Sequence, residues 1–397
     1  MRRSHCRLHA MGVTTTLVTH LVGCLQLKDY KSSVPAALLA RLLLLCAAGG
    51  QSLSFNAQHC EKAPSDESVR LALHYNLPDT ALVLLEALLA ALAALVPARL
   101  RRRARPCALD LHQRPFYGDK DTPGVSGGKR QAGTDYFWCY ASLAVLTRGL
   151  RFNVGLCPVD RRQSLAAVVQ SLVGQARARG VRIGWLLLDR GFYDAQVVRY
   201  LQQEGIAFAM PMIRRGDAGQ GSGTQRFFRD GCAAGWHDYA WTARPRQRDP
   251  QTGHRRKQPG FAVSVRVCVC RPASGKAWVF VAWGIAWDPG LLAKRYRRRF
   301  GIETSYRQLG QCLAQTTSKD ERVRLLLVGL ALLLRQYWAW AHAEALAVRR
   351  PGGRRVPQPG LLRLACLNLW VLHTLMTRLG FRLEVETPNP IPNFSGP

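Results

Sequence analysis

Hydrophobic and polar positions follow two rhythms along the chain, and the change between them comes near residue 105. Before that point the apolar residues gather in runs too long for strands. Residues 36–48 form an apolar segment stopped by Gly49 and Gly50, Pro64-Ser65-Asp66-Glu67 opens a helix running to about Tyr75, and residues 80–96 are apolar apart from Glu86. The pattern predicts a helical segment over residues 1–100. Three short helices around a glycine turn are also compatible with a helix-turn-helix that binds DNA ends. Residues 80–96 are short for a membrane span and carry a central glutamate, so a buried helix is expected and no membrane partner.

From Arg105 the period becomes that of strands. Residues 106–110, 136–146 and 151–157 read as three strands, with Thr147-Arg148-Gly149 as a tight turn between the last two. Leu165, Val168, Val169 and Leu172 give residues 163–178 helical spacing. A strand at 181–188, a helix at 194–204 and a strand at 206–210 follow. Three strands, helix, strand, helix, strand is the ribonuclease-H-like α/β order, a mixed sheet with helices packed on both faces.

After Met212 the pattern breaks. Residues 214–260 are rich in Gly, Arg, Gln and Pro, with Phe227, Phe228, Trp236, Tyr239 and Trp241 interleaved, and residues 261–270 and 277–283 alternate like a hairpin. We read a β-rich insertion over 213–287. Its rings suit either base stacking beside arginine or a small core of the insertion. A long helix begins at Pro289, two apolar helices cover 323–346 and 361–379, and a proline-bearing tail starts at Glu386. The expected division is therefore 1–100, 101–212, 213–287, 288–346 and 347–397.

Three acids stand out in this frame. Asp189 ends the apolar run Trp185-Leu186-Leu187-Leu188 and precedes a glycine turn, so a buried strand delivers its carboxylate to a sheet edge; capping of the next helix is the simpler alternative. Asp110 ends another short apolar run. Glu303 lies in an arginine-rich helix, with Arg299 and Arg307 a turn away on either side. Converging carboxylates are oxygen ligands suited to Mg2+, and a pair of such ions can clamp both oxygens of a phosphodiester substitution. Asp119 and Asp121 sit in a Gly-Pro-rich loop and are the weaker choice. Asp160 and Asp194 are expected to cap helices, and His112 to pack.

Charge narrows the partners. The 397 residues carry a formal net charge of +31, and of 56 basic residues nine are lysine, leaving 47 arginines. A GC-rich gene inflates arginine too, but the planar guanidinium fork suits phosphate, which favours nucleic acid over a membrane surface. The twelve cysteines are scattered and read as free thiols of a cytoplasmic protein. Cys268 and Cys270 are expected to alternate across a strand, and a structural zinc site is not expected.

Taken together, Asp110 in Ala-Leu-Asp-Leu-His, Asp189 in Leu-Leu-Leu-Asp-Arg-Gly-Phe-Tyr, and the spacing Tyr296-x2-Arg299-x3-Glu303 resemble a DDE transposase of a bacterial or archaeal insertion sequence. The likeness spans roughly residues 100–345. It implies a catalytic and metal-binding trio of Asp110, Asp189 and Glu303, with two Mg2+ ions for which Mn2+ can substitute. It implies DNA contacts from Tyr296, Arg299, Arg307, Lys319, Arg190 and Arg298, double-stranded terminal repeats and target DNA as partners, and a homodimer on paired ends. The family's lysine, which follows the glutamate after six intervening residues, is Gly310 here, so Arg307 or Lys319 is expected to take its phosphate contact. A related nuclease without strand transfer, or an inactive DNA-binding remnant of a mobile element, is the alternative.

Overall fold

The computed structural model describes residues 7–160, 163–216, 223–243, 246–248, 255–257, 259–271, 277–351, 355–358 and 360–382; side chains at 246–248, 255–257, 298–308 and 349 are outside the described ones. Helices α1 (Ala10–Leu25), α2 (Ala36–Gly49), α3 (Leu53–His59), α4 (Asp66–Asn76) and α5 (Ala81–Ala94) come first. Local chemistry sets their ends. Ser52, Ser65 and Thr80 each accept a backbone N–H at the start of α3, α4 and α5, and Gly50 closes α2 in the left-handed region at φ 67°.

The strands and helices that follow are β1 (Arg105–Pro115), β2 (Val125–Gln131), β3 (Thr134–Leu146), β4 (Arg151–Pro158), α6 (Leu165–Ala178), β5 (Ile183–Leu187), α7 (Ala195–Gln203) and β6 (Phe208–Pro211). Next come β7 (Gly235–Ala243), β8 (Arg246–Arg248), β9 (Arg255–Lys257), β10 (Phe261–Cys270) and β11 (Trp278–Trp283). The chain continues through α8 (Pro289–Gly310), α9 (Glu321–Trp340), β12 (Val348–Arg349), β13 (Arg355–Val356) and α10 (Leu364–Leu379). Nine strands form one mixed sheet in the order β2-β3-β1-β5-β6-β11-β10-β7, with β4 also paired to β3. β1 runs antiparallel to β3 and parallel to β5, and β5 is parallel to β6. This is the mixed α/β sheet that the order of elements predicts.

The strands of the 213–287 segment are not a separate sheet: β11 pairs antiparallel with β6, and β10 and β7 extend the same sheet outward. Its rings are mostly core and are covered by arginine. Phe227 and Trp241 are buried, and guanidinium groups of Arg214, Arg226 and Arg266 lie over Phe228, Phe227 and Trp236. Cys268 and Cys270 correct one expectation. Residues two apart on a strand share a face, and their buried Sγ atoms lie 3.6 Å apart.

One face of the sheet is covered by α6, α7 and the apolar helices, the other by α8. The first hundred residues do not pack by themselves. α1 and α2 lie against α10, and α5 lies against α9 and β4, within one continuous core. α3 is only seven residues long, and its Phe55 and His59 rings pack toward Phe381. Helix α9, with the π-helical turn that extends it, is long and apolar enough to cross a membrane by composition; 89% of that window is buried inside the protein, so burial on all sides accounts for its character. Gly329 allows its close approach to α5, since a Cβ there would stand 2.5 Å from a methyl of Leu88.

Candidate active site

Asp110 lies midway along β1, buried, opposite Ser142 of β3, and its Oδ1 accepts the N–H of Leu111 at 2.9 Å. Asp189 is half-buried just beyond the end of β5, still extended at φ −73°, ψ 161°, and leads into a single 3-10 turn over Arg190–Phe192. The two strands fix the relation between these acids. Their parallel register pairs Ala108 with Leu187. Continued by one alternation, it sets Asp110 and Asp189 beside each other on one face, where neighbouring strands run about 4.8 Å apart. The turn after Asp189 also closes onto β1: a Cβ on Gly191 would sit 3.8 Å from Asp189 Oδ2 and 3.9 Å from Leu111 Cδ2. Asp189 makes no capping bond to its own turn, whereas Asp194 caps α7 by accepting from Gln196 N–H at 2.7 Å, as expected.

The third position arrives on α8, which crosses the sheet. The helix starts at β10, where Pro289 O accepts from Cys270 Sγ, then packs Leu292 and Tyr296 over β5 and β11, and goes on to β1. Tyr296 is 2% exposed, and its hydroxyl donates to Leu188 O at 3.0 Å while its ring meets Phe280 at 4.8 Å. Tyr296 was expected to touch DNA. Its burial corrects that: it docks α8 on the residue preceding Asp189. Position 303 lies seven residues beyond, which is on the same helical stripe and about 10 Å further along the axis. The side chains of Arg298, Arg299, Glu303 and Arg307 are outside the described ones.

Removing only the Tyr296 hydroxyl tests this docking. Tyr296→Phe keeps the ring against Phe280 and should cost about 1 kcal/mol in denaturant unfolding, whereas Tyr296→Ala should cost about 3–5 kcal/mol. Equal losses for the two would show that ring packing does not anchor the helix.

Several neighbours share the carboxylate face. His112 keeps some surface exposure, yet the protein packs densely round its ring; that desolvation, with the charge of Arg114, pushes the imidazole down to about 4. It is a neutral packing group near pH 7. Arg190 is exposed directly after Asp189. Lys319 is exposed in the α8–α9 connection and lines a cavity of ≈450 Å3 with Arg114, Tyr117 and Arg324. Asp119 Oδ1 accepts the N–H of Asp121 in an exposed turn, which accounts for the Asp119 carboxylate as a loop former. On the far side of the Asp189 turn, Trp241 of β7 stacks on Tyr193 at 4.5 Å, so the 213–287 segment buttresses that turn. Among the described residues no three His, Cys, Asp or Glu side chains cluster for a metal.

Comparison with known proteins identifies the family. The family model for the transposase DDE domain matches residues 111–335, more than half of the chain. The chain belongs to the transposase DDE-domain family. The matched span takes in Asp189 and Glu303 and begins one residue after Asp110, whose place rests on the β1–β5 register. Among solved structures, the chain is similar to the piggyBac transposase in a cryo-EM structure of its synaptic complex with hairpin DNA, at 9% identity and a TM-score of 0.54 over 99% of this chain and 88% of that one. At that identity the likeness concerns the fold. A search of the curated proteins finds no match. In this DDE-domain transposase, Asp110 lies on a strand, Asp189 just past a strand end and position 303 on the helix that crosses the sheet.

Proposed function

We propose that this transposase binds the double-stranded ends of its own mobile element, cuts there, and joins the freed 3′ ends to target DNA. The observation that carries the reading is the parallel register that sets Asp110 and Asp189 on one face, with α8 passing over β5 toward β1. Asp110, Asp189 and Glu303 would hold divalent cations, Mg2+ with Mn2+ as a substitute. A carboxylate donor set of hard oxygens, buried at Asp110 and half-open at Asp189, fits such ions. When bound, they supply Lewis-acid stabilisation of the charge that develops in a phosphodiester substitution.

The protein's own groups do the positioning. β1 and the 3-10 turn hold the first two carboxylates, Tyr296 holds α8 against Leu188, and Arg190, Arg298, Arg299, Arg307 and Lys319 offset the repulsion between acids and DNA phosphates. Water serves as nucleophile for cleavage and the 3′ hydroxyl for joining, so no covalent enzyme intermediate is needed. Paired ends call for a homodimer, since one set of carboxylates then acts on each end. The synaptic complex of the piggyBac transposase with DNA supports DNA as the partner.

The test is a supercoiled plasmid carrying both flanks of the gene, incubated with the purified protein and Mg2+. Cuts at the two ends together with joined products are expected, both lost with EDTA and restored by Mn2+. Cuts without joining would reduce the reading to a nuclease, and binding without cuts to an inactive DNA-binding remnant.

A further inference from the structure

Away from the carboxylates, where β1 and β5 begin and β3 turns into β4, the protein frames a cavity of ≈1240 Å3. Six arginines line it, Arg99, Arg101, Arg105, Arg148, Arg151 and Arg355, against one carboxylate, Glu344. Glu344 is paired with Arg99 and Arg355, so a single negative charge faces six positive ones. The other fixed contacts orient guanidinium groups without neutralising them: Arg101 donates to Ala93 O at 2.6 Å and Arg105 to Arg99 O at 2.7 Å. The Nε of both is buried with no hydrogen-bond partner. Arg148 stands exposed in the β3–β4 turn. Such an array, held by backbone carbonyls, is preorganised for anions, and guanidinium forks match phosphate oxygens in pairs.

The cavity shares a sheet face with the candidate active site. Trp185 and Pro106 line it, and by strand alternation they fall on the side of Leu187 and Ala108, the side that carries Asp189 and Asp110. Arg295 adds a cation beside the cavity, lying 5.9 Å from the Trp185 ring and 4.1 Å from that of Trp287. From Trp185 to Asp189 is four extended residues, roughly 13 Å. At about 3.4 Å per base pair, this is about four base pairs of B-form DNA.

We propose that this cavity grips the sugar-phosphate backbone of a DNA duplex about four base pairs from the linkage presented to Asp110 and Asp189. The inference rests on the proposed function and adds a second contact to it. Six guanidinium groups spread round so wide a space suit a line of phosphates; a free polyphosphate offers the same chemistry, and the experiment separates the two.

The probe is a labelled duplex of roughly 25 base pairs and arbitrary sequence, followed by fluorescence anisotropy across a salt series. Arg148→Glu should raise Kd on the order of fivefold near physiological salt and make the log–log salt slope shallower by about 0.9, the value for one lost phosphate contact. Arg148→Gln should show a smaller loss in the same direction. Arg199→Glu makes the same charge change on α7, on the opposite face of the sheet, and should leave both quantities unchanged. Both arginines are exposed, and matching thermal melts of the variants will show that the fold is kept.

Equal weakening by Arg148→Glu and Arg199→Glu would reduce the effect to bulk charge and overturn the proposal. So would unchanged duplex binding by Arg148→Glu combined with lost binding of pyrophosphate, which would identify a small-anion site. A wild-type protein that binds no duplex would overturn this inference and the proposed function together, whereas intact cleavage with an unaltered Arg148→Glu slope would overturn this inference alone.

Discussion

Asp189→Asn should abolish strand cleavage, by about a thousandfold or more, equivalent to about 4 kcal/mol of barrier, while the affinity for duplex DNA holds or rises. The substitution keeps the shape of the side chain at the end of β5 and removes the charge. An amide is a poor ligand for a hard divalent cation, so the chemistry fails; binding persists because one fewer negative charge then faces the phosphates. Asp110→Asn should behave alike, since an amide oxygen can still accept the Leu111 N–H that Asp110 Oδ1 takes at 2.9 Å. Asp194→Asn is the control. It lies five residues further on and caps α7, and asparagine caps as well as aspartate, so cleavage should be unchanged. Gel analysis of plasmid cutting beside filter binding separates the two effects. Residual cleavage within tenfold of wild type in Asp189→Asn would remove this carboxylate from the site.

The largest effect on stability is expected from Gln336→Leu. Gln336 is fully buried in α9, its Oε1 accepts the N–H of Asn153 at 2.7 Å, and its Nε2 donates to Asn153 O and to Leu92 O, both at 2.9 Å. The side-chain amide thus acts as a peptide group placed against β4, beside the register shift between Leu143 and Ala144, and also closes the last turn of α5. Leucine fills the volume but removes the amide partner of the buried Asn153 N–H and C=O, each costing about 1–3 kcal/mol, while Leu92 O keeps the Leu95 N–H at 3.1 Å. A loss of about 2–6 kcal/mol in denaturant unfolding is expected. Gln336→Glu should also be severe, because it keeps the acceptor, loses the donors and buries a charge. A Gln336→Leu protein within about 1 kcal/mol of wild type would show that water or a shift of β4 satisfies those groups.

Which parts of this were legible in the sequence follows from where the information lies. Asp110 and Asp189 stand out because each ends an apolar run; Asp189 does lie just past the end of its strand, whereas β1 runs on beyond Asp110 to Pro115. Strand β2 does not, because Val125–Gln131 includes Gly127, Gly128 and four polar residues; backbone pairing to β3 makes it a strand, and no side-chain period announces that. The hairpin of β10 and β11 is readable from alternation, but its pairing to β6 depends on a partner fifty or more residues away. Tyr296 was misassigned because a family signature names a position and not its exposure. Gln336 carried one faint signal, a polar amide within a run of leucines, whose meaning appears only once β4 and α5 meet it. The Cys268 and Cys270 thiols should have been placed together from strand geometry alone.

The joining of α1 and α2 to α10 has a temporal side. More than three hundred residues separate α2 from the helix that covers it, so the opening helices leave the ribosome long before their cover exists. Until α10 emerges, their leucine faces stay open to chaperones, and assembly of this core is slow in the manner of contacts distant in sequence. A copy of the gene interrupted before codon 364 would yield a product unable to close its own interior, cleared by proteolysis instead of lingering on DNA as a competitor of the intact enzyme.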